Sequence, residues 1–285
     1  MHRLNSILLV GGVLCVILVS LYLYIYNSIQ PEVTAKNAVV MNVATDDIYF
    51  HKNEYEKIAN ASTTKIMTCI LALENLDLNE QTLKVIEDDI VRGSKMGLEE
   101  GESLPVSEML YGMMLASGNE AANVIARTVS KRVSGKGTYE DFALLMDAKA
   151  AELGMKDTSF KNPNGLDEED HYTTARDMAI LTKYAMQNEV FRTIVSTKEY
   201  TIASDVKGAK KKYVLENTNE LLGTYEGCKG VKTGTTKKAG ACLVSYSERE
   251  DGTGIIAVLF GSTKEERYND AIKLLDYGMK KASRA

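Results

Sequence analysis

Ser62 and Lys65 stand three residues apart at the front of an apolar run, in the stretch Asn60-Ala61-Ser62-Thr63-Thr64-Lys65-Ile66-Met67. On a helix that spacing puts a hydroxyl and an amine one turn apart on one face. The residues that follow, Ile66, Met67, Cys69, Ile70, Leu71 and Leu73, are apolar on most sides, and a helix of that kind lies inside a protein. Burial disfavours the ammonium form, so such a lysine tends to lose its proton. Lowering its pKa from about 10.4 to about 7 takes roughly 4–5 kcal/mol. A neutral lysine beside a serine hydroxyl is a general base beside a nucleophile. Ser-x-x-Lys also occurs where a serine caps a helix and the lysine is solvated, so the pair needs support from elsewhere in the chain.

That support comes from Ser117-Gly118-Asn119, in a break between two helical patterns, and from Lys232-Thr233-Gly234, on a predicted strand. Few other groups could do acid–base work. The chain has 285 residues with only 3 His: His2 lies in the N-terminal flank, and His51 and His171 sit in polar surroundings. A Ser-His-Asp triad is therefore an unattractive reading, and His171 reads as a structural or surface residue. No His-x-x-x-His or Cys-x-x-Cys pair occurs, so neither a metal nor any other cofactor is expected. A net charge of -5 gives no reason to expect nucleic acid as a partner.

The elements that must position these residues can be read in chain order. Residues 7–26 carry no charge, and a bilayer span needs about 20 apolar residues. Tyr22, Tyr24 and Tyr26 cluster at the far end, where amphipathic rings favour the interface, and Arg3 precedes the run with no basic residue after it until Lys36. This predicts a cytoplasmic flank over 1–6, a transmembrane anchor over 7–26, a linker over 27–35 and an exported domain over 36–285. A cleaved signal peptide is the competing reading, with Val33-Thr34-Ala35 as a poor cleavage site.

In the domain, 38–43 and 48–51 read as two strands around a turn. The Ser62 helix should end near Glu74-Asn75, and a short strand falls near 83–86. Helices are expected over 109–115, 120–129 and 139–153, the last stopped by Gly154. Asn162-Pro163-Asn164-Gly165-Leu166 is turn chemistry and reads as a rigid loop. Thr174 and Asp177 suggest a capping box for a helix over 178–187. Residues 200–214 form a hairpin whose basic run, 207–212, is a solvated tip. Strands over 231–235, 241–247 and 255–260 precede a helix over 265–281. Lys232 is expected on an edge strand facing the nucleophile, outside the core. Cys242 is expected opposite Lys232 rather than Cys228, so the cysteines read mostly as core thiols. The pattern predicts one α+β domain: an antiparallel sheet from N- and C-terminal strands, with helices packed on both sides.

Ser-x-x-Lys, Ser-x-Asn and Lys-Thr-Gly, in that order, form the motif set of β-lactamases and penicillin-binding proteins. The chain resembles the low-molecular-mass D-alanyl-D-alanine carboxypeptidases, serine peptidases that trim peptidoglycan stem peptides. The resemblance runs through Leu115-Ala116-Ser117-Gly118-Asn119-Glu120-Ala121-Ala122, Gly230-Val231-Lys232-Thr233-Gly234-Thr235-Thr236 and Leu274-Leu275-Asp276-Tyr277-Gly278, and covers roughly 36–281. It implies a β-lactamase/penicillin-binding-protein-like fold and a stem peptide ending in D-Ala-D-Ala as substrate. It also implies β-lactams as covalent inhibitors. Ser62 would attack the penultimate D-alanine carbonyl and Lys65 would take its proton. Ser117 would protonate the leaving amine, and Asn119 would orient Lys65 or the substrate amide. Lys232 and Thr233 would meet the terminal carboxylate, and Gly234 would allow close approach. The N–H groups of Ser62 and Thr235 would form an oxyanion hole. Arg267 matches a family arginine that contacts the carboxylate, though a solvated helix-start arginine fits as well. Many members carry a second, all-β domain and a C-terminal anchor, and neither is expected here. The rivals are a β-lactamase on the same scaffold and a non-catalytic penicillin- or peptidoglycan-binding module. The β-lactamase reading lacks a Glu-x-x-Leu-Asn pattern between Asn162 and Thr174.

Overall fold

Continuous apolar runs on two C-terminal strands, 241–244 and 255–260, meet a matching run, 38–41, from the N-terminal end, and this places the sheet. A computed structural model describes residues 30–78, 82–206 and 209–284. The chain divides after Glu32, and the larger unit, beginning at Val33, is the one described below. Five strands form an antiparallel sheet in the order β2-β1-β9-β8-β7. They are β1 (Asn37–Asn42), β2 (Ile48–Lys52), β7 (Cys228–Thr236), β8 (Gly240–Glu248) and β9 (Gly254–Ser262). β1 closes the two ends of the chain together, with Val39 opposite Val258.

Strand side chains alternate between faces, so each strand contributes to two cores. Val39 and Met41 of β1 and Ile256, Val258 and Phe260 of β9 face a large helical core. Ala38 and Val40, with Ile255, Ala257 and Leu259, face a smaller one. The smaller core is closed by the last helix, α7 (Arg267–Ala282), through Ala271, Leu274, Leu275 and Met279. Gly278 is required there, because a Cβ would stand 2.7 Å from both Val40 and Ile255. The larger core holds α1 (Lys65–Asn75), α2 (Val106–Met114), α3 (Asn119–Ser134), α4 (Tyr139–Glu152), α5 (Ala175–Ala185) and α6 (Glu189–Ser196). The expected α+β arrangement, with helices on both faces of the sheet, is the one that forms. Short strands β3 (Thr82–Lys84) and β4 (Ser103–Pro105) pair near α2.

Several expectations are corrected. α6 was not read from the sequence. α3 runs on to Ser134, where Gly135 ends it at φ +80°. Thr174 caps α5 by accepting from the Asp177 N–H, but the Asp177 carboxylate turns to Asp157 N and Thr158 Oγ1 instead, so the capping box is half made. The hairpin β5 (Glu199–Val206) and β6 (Ala209–Glu216) is a separate two-stranded sheet. Its basic run is not all solvated tip: Lys211 lies within β6 and donates to Gly97 O and Glu99. Cys242 stands opposite Gly234, two residues from the expected partner, because the β7–β8 turn is centred on Lys238, between the paired Thr236 and Gly240. Cys69, Cys228 and Cys242 are free thiols.

The expected anchor over 7–26, with Cys15, lies outside the described residues. Among the described residues no helix is long and apolar enough to cross a membrane. Among them, too, no group of three His, Cys, Asp or Glu side chains could hold a metal ion.

Candidate active site

The chain enters α1 through a 3₁₀ turn, Ala61–Thr64, rather than a regular α-helical turn. Ala61 is held at φ +49°, a left-handed conformation costly for a residue with a Cβ. The neighbours that hold it are glycines. Gly165, at φ +86°, lies so close that a Cβ would stand 1.8 Å from Ala61 O. Gly234 of β7 lies against the same turn, where a Cβ would come within 2.9 Å of both the Ser62 nitrogen and Ala61 Cβ. Ser62 is left half-buried between β7 and the loop that follows α4.

Lys65, the first residue of α1, is fully buried. Its Nζ lies 2.9 Å from Ser62 Oγ, 2.7 Å from Asn119 Oδ1 and 2.7 Å from Asn164 O. Two of these three partners can only accept. Asn164 O is a carbonyl, and Asn119 presents its oxygen because its Nδ2 donates to Arg92 O at 2.7 Å. A neutral amine has two hydrogens and one lone pair. The two acceptors take the hydrogens, which aims the lone pair at the Ser62 hydroxyl. Burial first, then the charge of Lys232, hold Lys65 well below the usual lysine range; Glu120 opposes them.

Ser117 occupies the break between α2 and α3 at φ +59°, a second left-handed residue at the site. Lys232 Nζ donates to Ser117 Oγ at 3.0 Å and to Thr233 O at 3.1 Å. β7 is an edge strand, as expected, but Lys232 is only 1% exposed and not outside the core. Ser117 meets its amine and the 3₁₀ turn packs against its strand. Burial, and then the Arg267 charge, push its pKa down to about 7. Thr233 Oγ1 pairs with Thr218 Oγ1 at 2.6 Å. Thr235 is exposed on the strand beyond Gly234, and Arg267 Nη1 donates to its Oγ1 at 3.4 Å. Arg267 also donates through Nη2 to Tyr268 OH, and its Nε is buried without a partner.

All nine residues singled out in the sequence thus come together from the 3₁₀ turn and α1, the α2–α3 break and the start of α3, β7 and the start of α7. A cavity of about 1170 Å³ lies elsewhere: it opens at the other end of β7 and β8, between Gly227, Ser247 and Met279. His171 is structural. It is buried, Nδ1 accepts from Lys161 N, and Nε2 therefore donates to Thr64 Oγ1 at 2.9 Å. Burial pushes its pKa down to about 4.

Sequence reasoning missed Asn164 and Glu120. Asn164 acts through its backbone carbonyl, for which side-chain identity carries no signal. The one available hint was Asn-Gly turn chemistry in a loop that Asn162 closes by accepting from Gly165 N at 2.7 Å.

A sequence profile described as D-alanyl-D-alanine carboxypeptidase matches residues 26–264. The chain is similar to D-alanyl-D-alanine carboxypeptidase DacF of Bacillus subtilis, 39% identical across 97% of this chain and 71% of that one. It is also similar to the D-alanyl-D-alanine carboxypeptidase of Streptomyces sp. strain K15, 33% identical across 87% of this chain and 88% of that one. The crystal structure of the Streptomyces K15 DD-transpeptidase superposes with a TM-score of 0.81 at 32% identity, covering 88% of this chain and 99% of that one. Fold, motif order and sequence agree, and the chain belongs to the D-alanyl-D-alanine carboxypeptidase family.

Proposed function

We propose that the protein is a serine-type D-Ala-D-Ala carboxypeptidase that removes the terminal D-alanine from peptidoglycan stem peptides through an ester on Ser62. The observation that carries this reading is the Lys65 amine, buried, held low in pKa, and oriented by Asn119 Oδ1 and Asn164 O towards Ser62 Oγ. Ser62 Oγ bonds to the penultimate carbonyl carbon as its proton passes to Lys65. The oxyanion is met by the N–H groups of Ser62 and Thr235. Ser117, beside Lys232, hands a proton to the nitrogen of the departing D-alanine as the C–N bond breaks. Water then cleaves the ester. Lys232, Thr233, Thr235 and Arg267 form the pocket for the terminal carboxylate, a set of cationic and hydroxyl donors.

A β-lactam presents the same carbonyl beside a carboxylate, and its ester should persist. Fast deacylation needs a base on the far side of the ester. In the loop after Asn162, Asp167 accepts from Thr236 and Lys238, and Glu168 accepts from Asn162. The loop offers Lys65 a carbonyl where a β-lactamase would need a base.

The catalytic domain works outside the cytoplasm on the cell wall, and the uncharged run over 7–26 is its single-pass anchor. N-terminal sequencing of the mature protein checks the anchor, and a mature chain beginning after about Ala35 would show a cleaved signal instead. For the chemistry, intact-mass measurement after exposure to penicillin should show one adduct lasting many minutes, absent from Ser62→Ala. An adduct on Ser62→Ala, or one that turns over at once, refutes the reading.

A further inference from the structure

Glu120 is fully buried at the second position of α3, next to Asn119. Its Oε1 accepts from Gly97 N at 2.8 Å and Leu98 N at 3.3 Å. Its Oε2 is buried with no hydrogen-bond partner. A carboxylate oxygen in that position is costly unless the charge has something to act on. Its sequence neighbour Asn119 is bonded to the Lys65 amine, on which the Glu120 charge acts, and the three hydrogen-bond partners of Lys65, Ser62 Oγ, Asn119 Oδ1 and Asn164 O, are all uncharged. When Lys65 takes the Ser62 proton it becomes a buried ammonium with a second amine, Lys232, close by. An unpaired buried charge of that kind raises the barrier to the step that creates it.

We propose that Glu120 is the fixed counter-charge for the ammonium that forms on Lys65 as Ser62 attacks, while the same carboxylate holds residues 97–98 beside Ser117. The inference rests on the reading of Lys65 as the base. Glu120 takes no proton: one proton passes from Ser62 Oγ to Lys65 Nζ, the new C–O bond leaves negative charge on the substrate oxygen, and Glu120 balances the cation left behind. It is a positioning residue, acting through Lys65. Its field on Lys65 opposes burial and the charge of Lys232, in agreement with the directions found for that amine.

The other charged groups around this pair are few. Lys232 faces Lys65 from β7, and Arg267 faces Lys232 from α7. On the far side of residues 97–98, Lys211 and Tyr213 of β6 both donate to Gly97 O, and each also reaches an acidic side chain, Glu99 and Glu102 respectively. His171 reaches Thr64, not Lys65, and burial keeps its pKa down at about 4.

The test is the second-order rate of Ser62 acylation by penicillin across pH, in the full chain and in two variants. Glu120→Gln keeps an oxygen for Gly97 and Leu98 but removes the charge. Its rising limb, which reports loss of the proton from Lys65, should move to lower pH by about one unit, and its plateau should fall about tenfold or more. Glu120→Asp keeps the charge on a shorter side chain. Its limb should stay near that of the unaltered protein, while its plateau falls because residues 97–98 are released. A Glu120→Gln limb that superposes on the unaltered one, or moves to higher pH, overturns the proposal. So does an equal shift in Glu120→Asp, or a Glu120→Gln chain that fails to fold, which would make the carboxylate structural. If the unaltered protein takes up no penicillin at all, the functional reading fails instead.

Discussion

Replacing Lys232 by methionine should make the protein more stable and almost inactive. The side chains are similar in length, so Lys232→Met opens no cavity at a site only 1% exposed. The amine it removes is there at a cost. Its pKa falls from the ordinary 10.5 to about 7 on folding, mainly through burial. Between those two values the unfolded chain binds more protons than the folded one, so stability rises with pH through that window. At pH 7 nearly the whole penalty is present, about 4 kcal/mol. Ser117 Oγ and Thr233 O each lose a donor in the variant, worth about 1 kcal/mol apiece. The net gain is about 2 kcal/mol, or about 4–8 °C in Tm for a domain of this size. Activity moves the other way. The substrate carboxylate loses a charge-assisted hydrogen bond of about 1.5–3 kcal/mol. Lys65 loses a like-charged neighbour, so its pKa rises, and each unit costs about tenfold in free base at neutral pH. Release of D-alanine from a D-Ala-D-Ala peptide should fall about a thousandfold, with part of the loss recovered at higher pH. The checks are thermal unfolding by circular dichroism at pH 7 and a D-alanine release assay at pH 7 and 9. A variant several degrees less stable would refute the burial argument. Near-normal turnover would place the site elsewhere.

Two further outcomes follow from the loop after α4 and its contacts with the 3₁₀ turn. Gly165→Ala should displace the Asn164 carbonyl from Lys65, because a Cβ there stands 1.8 Å from Ala61 O at a backbone angle of +86°; penicillin acylation should drop about tenfold or more, and an unchanged rate would mean the carbonyl does not orient the base. His171 should titrate near pH 4 by NMR, and a midpoint near 6.5 would contradict its burial. Because the folded value lies below the unfolded one, its contribution is complete above about pH 6.5 and is lost as pH falls towards 4, by up to about 3 kcal/mol in denaturant unfolding.

The parts of this molecule that were legible in its sequence are those written in side-chain pattern. Apolar runs over β1, β8 and β9 placed the sheet, and the run after Lys65 showed a helix with no solvated face. Spacing put Ser62 and Lys65 on adjoining turns. What escaped was written in backbone and in tertiary contact. Asn164 works through a carbonyl. α6 is only eight residues long, too short for periodicity to separate it from a loop. Lys232 sits on an edge strand, where alternation alone implies solvent, and only the packing of the 3₁₀ turn against that strand, with Ser117 on its amine, buries it. The β7–β8 register slipped by two because the turn is centred one residue later, on Lys238, where Gly240 takes the left-handed angle that closes it.

The same backbone features explain why a lysine can serve as a base here. Ala61 and Ser117 are both held in the left-handed region, at roughly 1–3 kcal/mol each; the first precedes the proposed nucleophile Ser62 and the second carries the proposed proton donor. Strain of this kind persists only where the surroundings over-determine it. Gly165 and Gly234 press on the Ala61 turn from two directions, and Gly118 packs against Gly112 O and Met96 N beneath Ser117. α1 then carries Lys65 into a core in which eight consecutive residues, from Lys65 to Ala72, are buried. The amine cannot reach water from that position. Burial, Lys232 and Glu120 therefore set the pH at which it gains a proton, and two amines and one carboxylate set how readily Ser62 gives up its own.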